Sequence, residues 1–125
     1  MELNTSNIGR AVGTALIVLV ATTLLQAHTK LEKSVPAAGA VLSAAPKQVQ
    51  LWFNEKLDAA VSKIELTSAA GNVALGSVQA MGDKSLKAAI TGKVPDGTYT
   101  IAWQTAGDDG HVVKGDVKFS VKAAH

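Results

Sequence analysis

The chain has 125 residues, with 12 Lys plus Arg against 10 Asp plus Glu and a formal net charge of +2. That length indicates a single domain, and so small a charge, with no run of basic residues, excludes a dedicated nucleic-acid surface. Cysteine is absent, which removes disulfides, thiolate zinc sites, iron–sulfur clusters, cysteine nucleophiles and the blue-copper type of site that needs a Cys ligand.

The first 27 residues read as a signal peptide. Residues 11–25, AVGTALIVLVATTLL, carry no charge, follow Arg10 and are followed by Gln26-Ala27. The run is shorter than the roughly 20 apolar residues of a membrane span. It matches the apolar middle of a signal peptide cleaved after Ala27. Arg10 alone precedes the run, Glu2 offsets it, and Leu25 is large for its place before the cut, so the rival reading is an uncleaved N-terminal anchor. Cleavage there leaves residues 28–125 as one exported domain whose first residue is His28.

Within that domain, turn signals recur at Pro36-Ala-Ala-Gly39, Ala45-Pro46, Ala70-Gly71-Asn72, Gly82-Asp83, Pro95-Asp96-Gly97 and Gly107-Asp108-Asp109-Gly110. The stretches between them alternate apolar and polar residues and predict strands near 30–35, 47–55, 62–68, 73–79, 85–91, 98–105 and 113–122. Seven short strands without a helical period indicate an all-β fold, an antiparallel Greek-key β-sandwich or barrel of immunoglobulin-like type.

Side-chain parity extends this reading. Val49, Leu51 and Phe53 share a face, as do Tyr99, Ile101 and Trp103, and as do Val113, Val117, Phe119 and Val121. Glu55 continues the first row; Asp109 and His111 have the parity of the third. Three polar residues are therefore expected to extend inward rows at the mouth of the sandwich, unless a bulge at Gly107 or Gly110 breaks the alternation.

A histidine at a free N-terminus chelates a metal through its amine and ring Nδ1. Cu(II) favours that tetragonal nitrogen and oxygen environment and stands highest in the divalent affinity series. Asp109-Gly110-His111 supplies a carboxylate and an imidazole two residues apart, on one side of an extended chain. The candidate ligands of one Cu(II) are thus His28, Asp109 and His111. Sulfur donors suited to Cu(I) are lacking, since Met81 stands alone after the signal. The plain alternatives are a surface histidine near a flexible terminus and an ordinary Asp-Gly turn. Asp108 has the opposite parity, His125 lies past the last strand, and Trp52 and Trp103 read as packing residues.

At this point the chain resembles the CopC/PcoC family of periplasmic copper-resistance proteins. An N-terminal histidine after the signal is followed by KLEKSVPAAGAVLSAAP, VQLWFNEKL and GTYTIAWQTAGDDGHVVKGDVKFSV, in that order, over nearly all of residues 28–122. The resemblance implies a cupredoxin-like sandwich and a Cu(II) site made by His28 through amine and ring, Asp109 and His111. It puts Glu55 beside these ligands or among them as a weak one. It further implies a role in copper homeostasis, by sequestration or delivery, and an inner-membrane copper transport protein of CopD type as partner. The methionine-rich loop of some members is missing, so no Cu(I) site is expected, and the protein is expected to be a monomer. Two other functions compete. One is a structural immunoglobulin-like domain without a specific metal; the other is a histidine-brace copper enzyme, which needs an open coordination position. No Ser-His-Asp or paired-carboxylate signature accompanies the histidines, so no enzyme is expected.

Overall fold

The computed structural model describes residues 29–123. The expected signal peptide, His28 and His125 lie outside the described residues. Among the described residues the strands are β1 (Leu31–Val35), β2 (Val41–Leu42), β3 (Gln48–Phe53), β4 (Lys63–Ser68), β5 (Gly71–Val73), β6 (Gln79–Ala80), β7 (Ser85–Ala89), β8 (Gly97–Ala106) and β9 (Val112–Val121), with a 3-10 turn at Ala59–Val61. They form a four-stranded sheet in the order β1-β3-β7-β6 and a five-stranded sheet in the order β2-β9-β8-β4-β5. No helix among the described residues is long and apolar enough to cross a membrane.

The core sits between the sheets and follows the expected parity. Val49, Leu51 and Phe53 of β3 are buried, as are Tyr99, Ile101 and Trp103 of β8 and Val117, Phe119 and Val121 of β9. Two aromatic contacts organise it: Phe53 meets Trp103 edge-on with centroids 5.1 Å apart, and Tyr99 stacks on Phe119 at 5.4 Å. The Trp103 ring lies against the backbone of Gly115, its cross-strand partner, where a side-chain carbon would overlap the indole.

The sandwich departs from the expected seven antiparallel strands in two places. Val41 and Leu42 form a short strand that pairs in parallel with Ser120 and Val121, so the five-stranded sheet is mixed. The strand expected at 73–79 does not exist as one piece. Its start joins β4 in the five-stranded sheet as β5, and its end joins β7 in the four-stranded sheet as β6. Between them the chain crosses from one layer to the other. The crossing is pinned where Gly76 N–H donates to Ala89 O (2.8 Å) and both Thr91 and Gly92 N–H donate to Ala74 O (3.0 Å each). Val73, Leu75 and Val78 all pack against the core there, and the change of parity between Leu75 and Val78 marks the crossing in the sequence.

The Tyr99 hydroxyl donates to Pro95 O at 2.5 Å, tying the start of β8 to its preceding turn, much as a tyrosine corner does. Burial pushes this hydroxyl above its ordinary pKa of 10.0, and the Asp96 charge adds to the rise. The unfolded chain therefore releases the proton at lower pH than the folded one. This contribution to stability is complete below the unfolded pKa and is lost as pH rises through the folded one. Tyr99→Phe should flatten the alkaline fall in stability followed by chemical denaturation from about pH 9 upward; a limb of unchanged steepness would show that other groups carry it. Trp103→Ala, which empties the largest volume at the Phe53 contact, should cost about 3–5 kcal/mol, read as a lowered urea midpoint at constant slope.

Candidate metal centre

Three segments meet at one end of the sandwich: the residues before β1, the residues after β3, and the loop joining β8 to β9. Thr29 is 6% exposed, and its hydroxyl donates to Glu55 Oε1 at 2.6 Å. Both side chains press on Gly107, where a Cβ would overlap Glu55 Oε1 and Thr29 Oγ1. Gly107 in turn bridges to Leu57, and Asp58 N–H donates to Ala106 O at 2.9 Å. The two sheets are thus tied to each other where β8 ends. Glu55 keeps the half-buried place that its parity indicates.

The loop at 107–111 is a tight turn. Gly110 N–H donates to Gly107 O at 3.0 Å, and Gly110 has φ +80, a conformation that glycine adopts without steric cost. Asp109 then folds onto the residue two ahead: Oδ1 accepts His111 N–H at 3.0 Å, and Oδ2 meets the ring Nδ1 at 3.0 Å. Asp109 and His111 therefore do not extend the inward row of β9. The glycine at 110 ends the alternation, and the side chains are 47% and 75% exposed. This is the break that a bulge at Gly110 would cause. It changes the expected spread of two side chains along a strand into a direct carboxylate–imidazole contact.

The chemistry of that pair is specific. With the ring neutral, Nδ1–H donates to the carboxylate and Nε2 keeps a lone pair available to a metal. A carboxylate on the far nitrogen fixes tautomer and ring orientation and raises ligand basicity. The structure thus brings Asp109 to His111, and Glu55 to Thr29 and Gly107. Among the described residues no three His, Cys, Asp or Glu side chains gather closely enough to hold a metal. His28, which supplies two of the expected donors, lies outside them.

Sequence reasoning passed over Thr29 and Asn54, and named Gly107 only as a turn residue and a possible bulge. Asn54 Oδ1 accepts Lys30 N–H at 2.8 Å, and Asn54 N–H donates to Lys30 O at 3.0 Å. Their one sequence signal is adjacency to His28, Glu55 and Asp108. Met81, 43% exposed, is the second of the chain's two methionines.

Residues 31–122 match the family model described as the CopC domain. The chain is 35% identical over 118 residues to copper resistance protein C of Xanthomonas campestris pv. juglandis, covering 85% of this chain and 92% of that one. Its fold is similar to the crystal structure of PcoC, a methionine-rich copper resistance protein from Escherichia coli, with TM-score 0.69 and 33% identity over 77% of this chain and 100% of that chain. It is also 28% identical over 101 residues to the copper transport protein CutJ of Bacillus subtilis, spanning 78% of this chain and 19% of CutJ. The fold and these likenesses define the class, a two-sheet copper-resistance protein rather than an enzyme. Within that class, the chain belongs to the CopC domain family.

His111→Ala should leave the metal-free fold within about 0.5 kcal/mol of the parent, as substitutions at exposed positions do. Urea denaturation of the metal-free protein checks this; unfolding of the variant would assign His111 to the scaffold instead.

Proposed function

We propose that the chain is exported, cleaved after Ala27, and holds one Cu(II) in the periplasm as a monomer. The ligands are the amine and ring of His28, with Asp109 and His111. Glu55 stands beside them, behind the ligands or as a weak one, with its Oε1 accepting the Thr29 hydroxyl. The observation that carries the reading is the packing of Thr29, the residue joined to His28, against Gly107 at the root of the loop bearing Asp109 and His111. The imidazole of that loop is exposed and held by a carboxylate, which suits a metal ligand and has no use in the core.

Cu(II) is the favoured ion because the donors are nitrogen and oxygen and the chain holds no cysteine. A Cu(I) site is not expected with Met81 as the lone thioether. The role that fits is copper sequestration or delivery in copper resistance. An inner-membrane copper transport protein of CopD type is the partner this reading implies. The likeness to part of CutJ, where a similar segment is joined to a larger copper transport chain, supports that association.

Cleavage is central to the chemistry. While His28 is bonded to Ala27, its nitrogen is an amide and not a basic donor. Once freed, it is an amine of pKa about 7.7–8.0 that Cu(II) can deprotonate near neutral pH. Titration of the chain beginning at His28 should show one tetragonal, nitrogen-rich Cu(II) by electron paramagnetic resonance. A version with one extra residue before His28 keeps every side chain and should bind at least about tenfold more weakly, roughly 1.4 kcal/mol, with an altered spectrum. Equal affinity and identical spectra would refute the N-terminal chelate.

A further inference from the structure

We propose that Thr29 and Asn54, through Glu55 and Gly107, are positioning residues that hold the chain start at the metal centre before any metal arrives. This rests on the Cu(II) reading above and adds to it a preorganised terminus.

The ladder between β1 and β3 is irregular at its outer end. Leu31 pairs with Phe53 and Lys33 with Trp52, so the register shifts between them. Beyond Leu31, side chains join the backbone in what strand pairing alone does elsewhere. A single residue, Asn54, engages both backbone groups of Lys30: its side-chain oxygen takes the N–H at 2.8 Å, and its own N–H serves the carbonyl at 3.0 Å. One residue further out, the Thr29 hydroxyl is buried and bonded to Glu55 at 2.6 Å. Gly107 permits this, because any Cβ there would occupy the space of the Thr29 hydroxyl and the Glu55 carboxylate. The two residues that would follow His28 in the cleaved chain are thus fixed by three hydrogen bonds, where terminal residues ordinarily fray.

The arrangement adds little to the core. Lys30 and Asn54 are exposed, and Thr29 lies outside the cluster of buried apolar residues. Its consequence falls on the residue that precedes it. A ligand on a fraying terminus is competent for only part of the time, and the apparent affinity of the site falls by that fraction. A terminus held at positions 29 and 30 leaves only the rotations of residue 28 to be ordered on binding. The clamp also acts as a ruler. It sets which residue can be the amine donor, because only the residue directly before Thr29 is one peptide away from the Gly107 contact.

The test compares Cu(II) affinity, saturated spectra and amide exchange in chains beginning at His28. Thr29→Val removes the hydroxyl at nearly constant volume, Thr29→Ser retains it, and Asn54→Ala alters an exposed residue and so spares the core. Thr29→Val and Asn54→Ala should each weaken Cu(II) by about tenfold, while Thr29→Ser stays within about twofold. The spectrum at saturation should keep its parent form, because every ligand remains. In the metal-free parent the Lys30 amide should be protected from exchange, and Asn54→Ala should remove that protection. Parent-like affinity in both Thr29→Val and Asn54→Ala would overturn the proposal, as would an equal loss in Thr29→Ser and Thr29→Val. An unprotected Lys30 amide in the metal-free parent would overturn it too. That last measurement needs no copper. If the chain binds no Cu(II), the functional reading fails while the clamp is still judged by exchange.

Discussion

Strand β8 is the member on which the rest of the molecule depends. It pairs with β9 from Gly97 to Ala106 and with β4 from Tyr99 to Gln104, so both its edges are satisfied. Its odd-numbered residues Tyr99, Ile101, Trp103 and Thr105 are all buried. A slip of one residue would turn that whole row to water. The same register determines what stands at each end. At the start, Tyr99 reaches back to Pro95. At the finish, Gly107 falls opposite Leu57 and beneath Glu55 and Thr29. A slip in either direction would put Ala106 or Asp108 at a place where a Cβ cannot fit. Core packing and the close approach at the candidate centre therefore enforce a single alignment.

The parts of this fold that were legible in the sequence are those governed by a two-residue period. The inward rows Val49-Leu51-Phe53 and Tyr99-Ile101-Trp103, and Val117-Phe119-Val121 in the last strand, are buried as the alternation indicates. What escaped has physical causes that alternation does not record. Residues 73–79 alternate at first because Val73 and Leu75 both face the core, but they do so from a segment leaving one sheet for the other. The parallel pairing of Val41 and Leu42 with the end of β9 depends on a contact distant in sequence. At the candidate centre, residue types carried the choice of Asp109 and His111, while their disposition turned on the positive φ of Gly110. Asn54 and Thr29 were illegible for another reason. They act by bonding to backbone and to a carboxylate, and any of several polar residues can do that.

The division between scaffold and centre has a chemical logic. A buried imidazole and carboxylate would need full hydrogen-bond satisfaction, at a large desolvation cost when one partner is missing. The exposed pair at 109 and 111 avoids this. Its mutual contact is made within one turn, over a separation of two residues, so little chain entropy is lost in forming it. Exposure also leaves Nε2 accessible from solvent, as the proposed binding of an ion would require. An ion held there could enter and leave without opening the core, in which Trp103 is packed between Phe53 and Gly115.

The position of the centre gives copper a second consequence on the proposed ligand set. Glu55 and the residues before β1 belong to the four-stranded sheet, while Asp109 and His111 lie on the hairpin of the five-stranded one. With no cysteine in the chain, no disulfide joins these layers. The polar ties across this end are the bridge of Gly107 to Leu57 and the bond from Asp58 to Ala106. An ion held by the chain start from one side and by the hairpin from the other would join the sheets at the mouth. Because such an ion binds the folded chain and not the unfolded one, it adds about 2.7 kcal/mol at a free concentration of one hundred times Kd. Loading would therefore stiffen the loop that bears Asp109 and His111. The proposed clamp at Asn54 and Thr29 would limit that stiffening, since positions 29 and 30 are already bonded in the metal-free protein. Release would then disturb little beyond the proposed ligands, and the two sheets would keep their register.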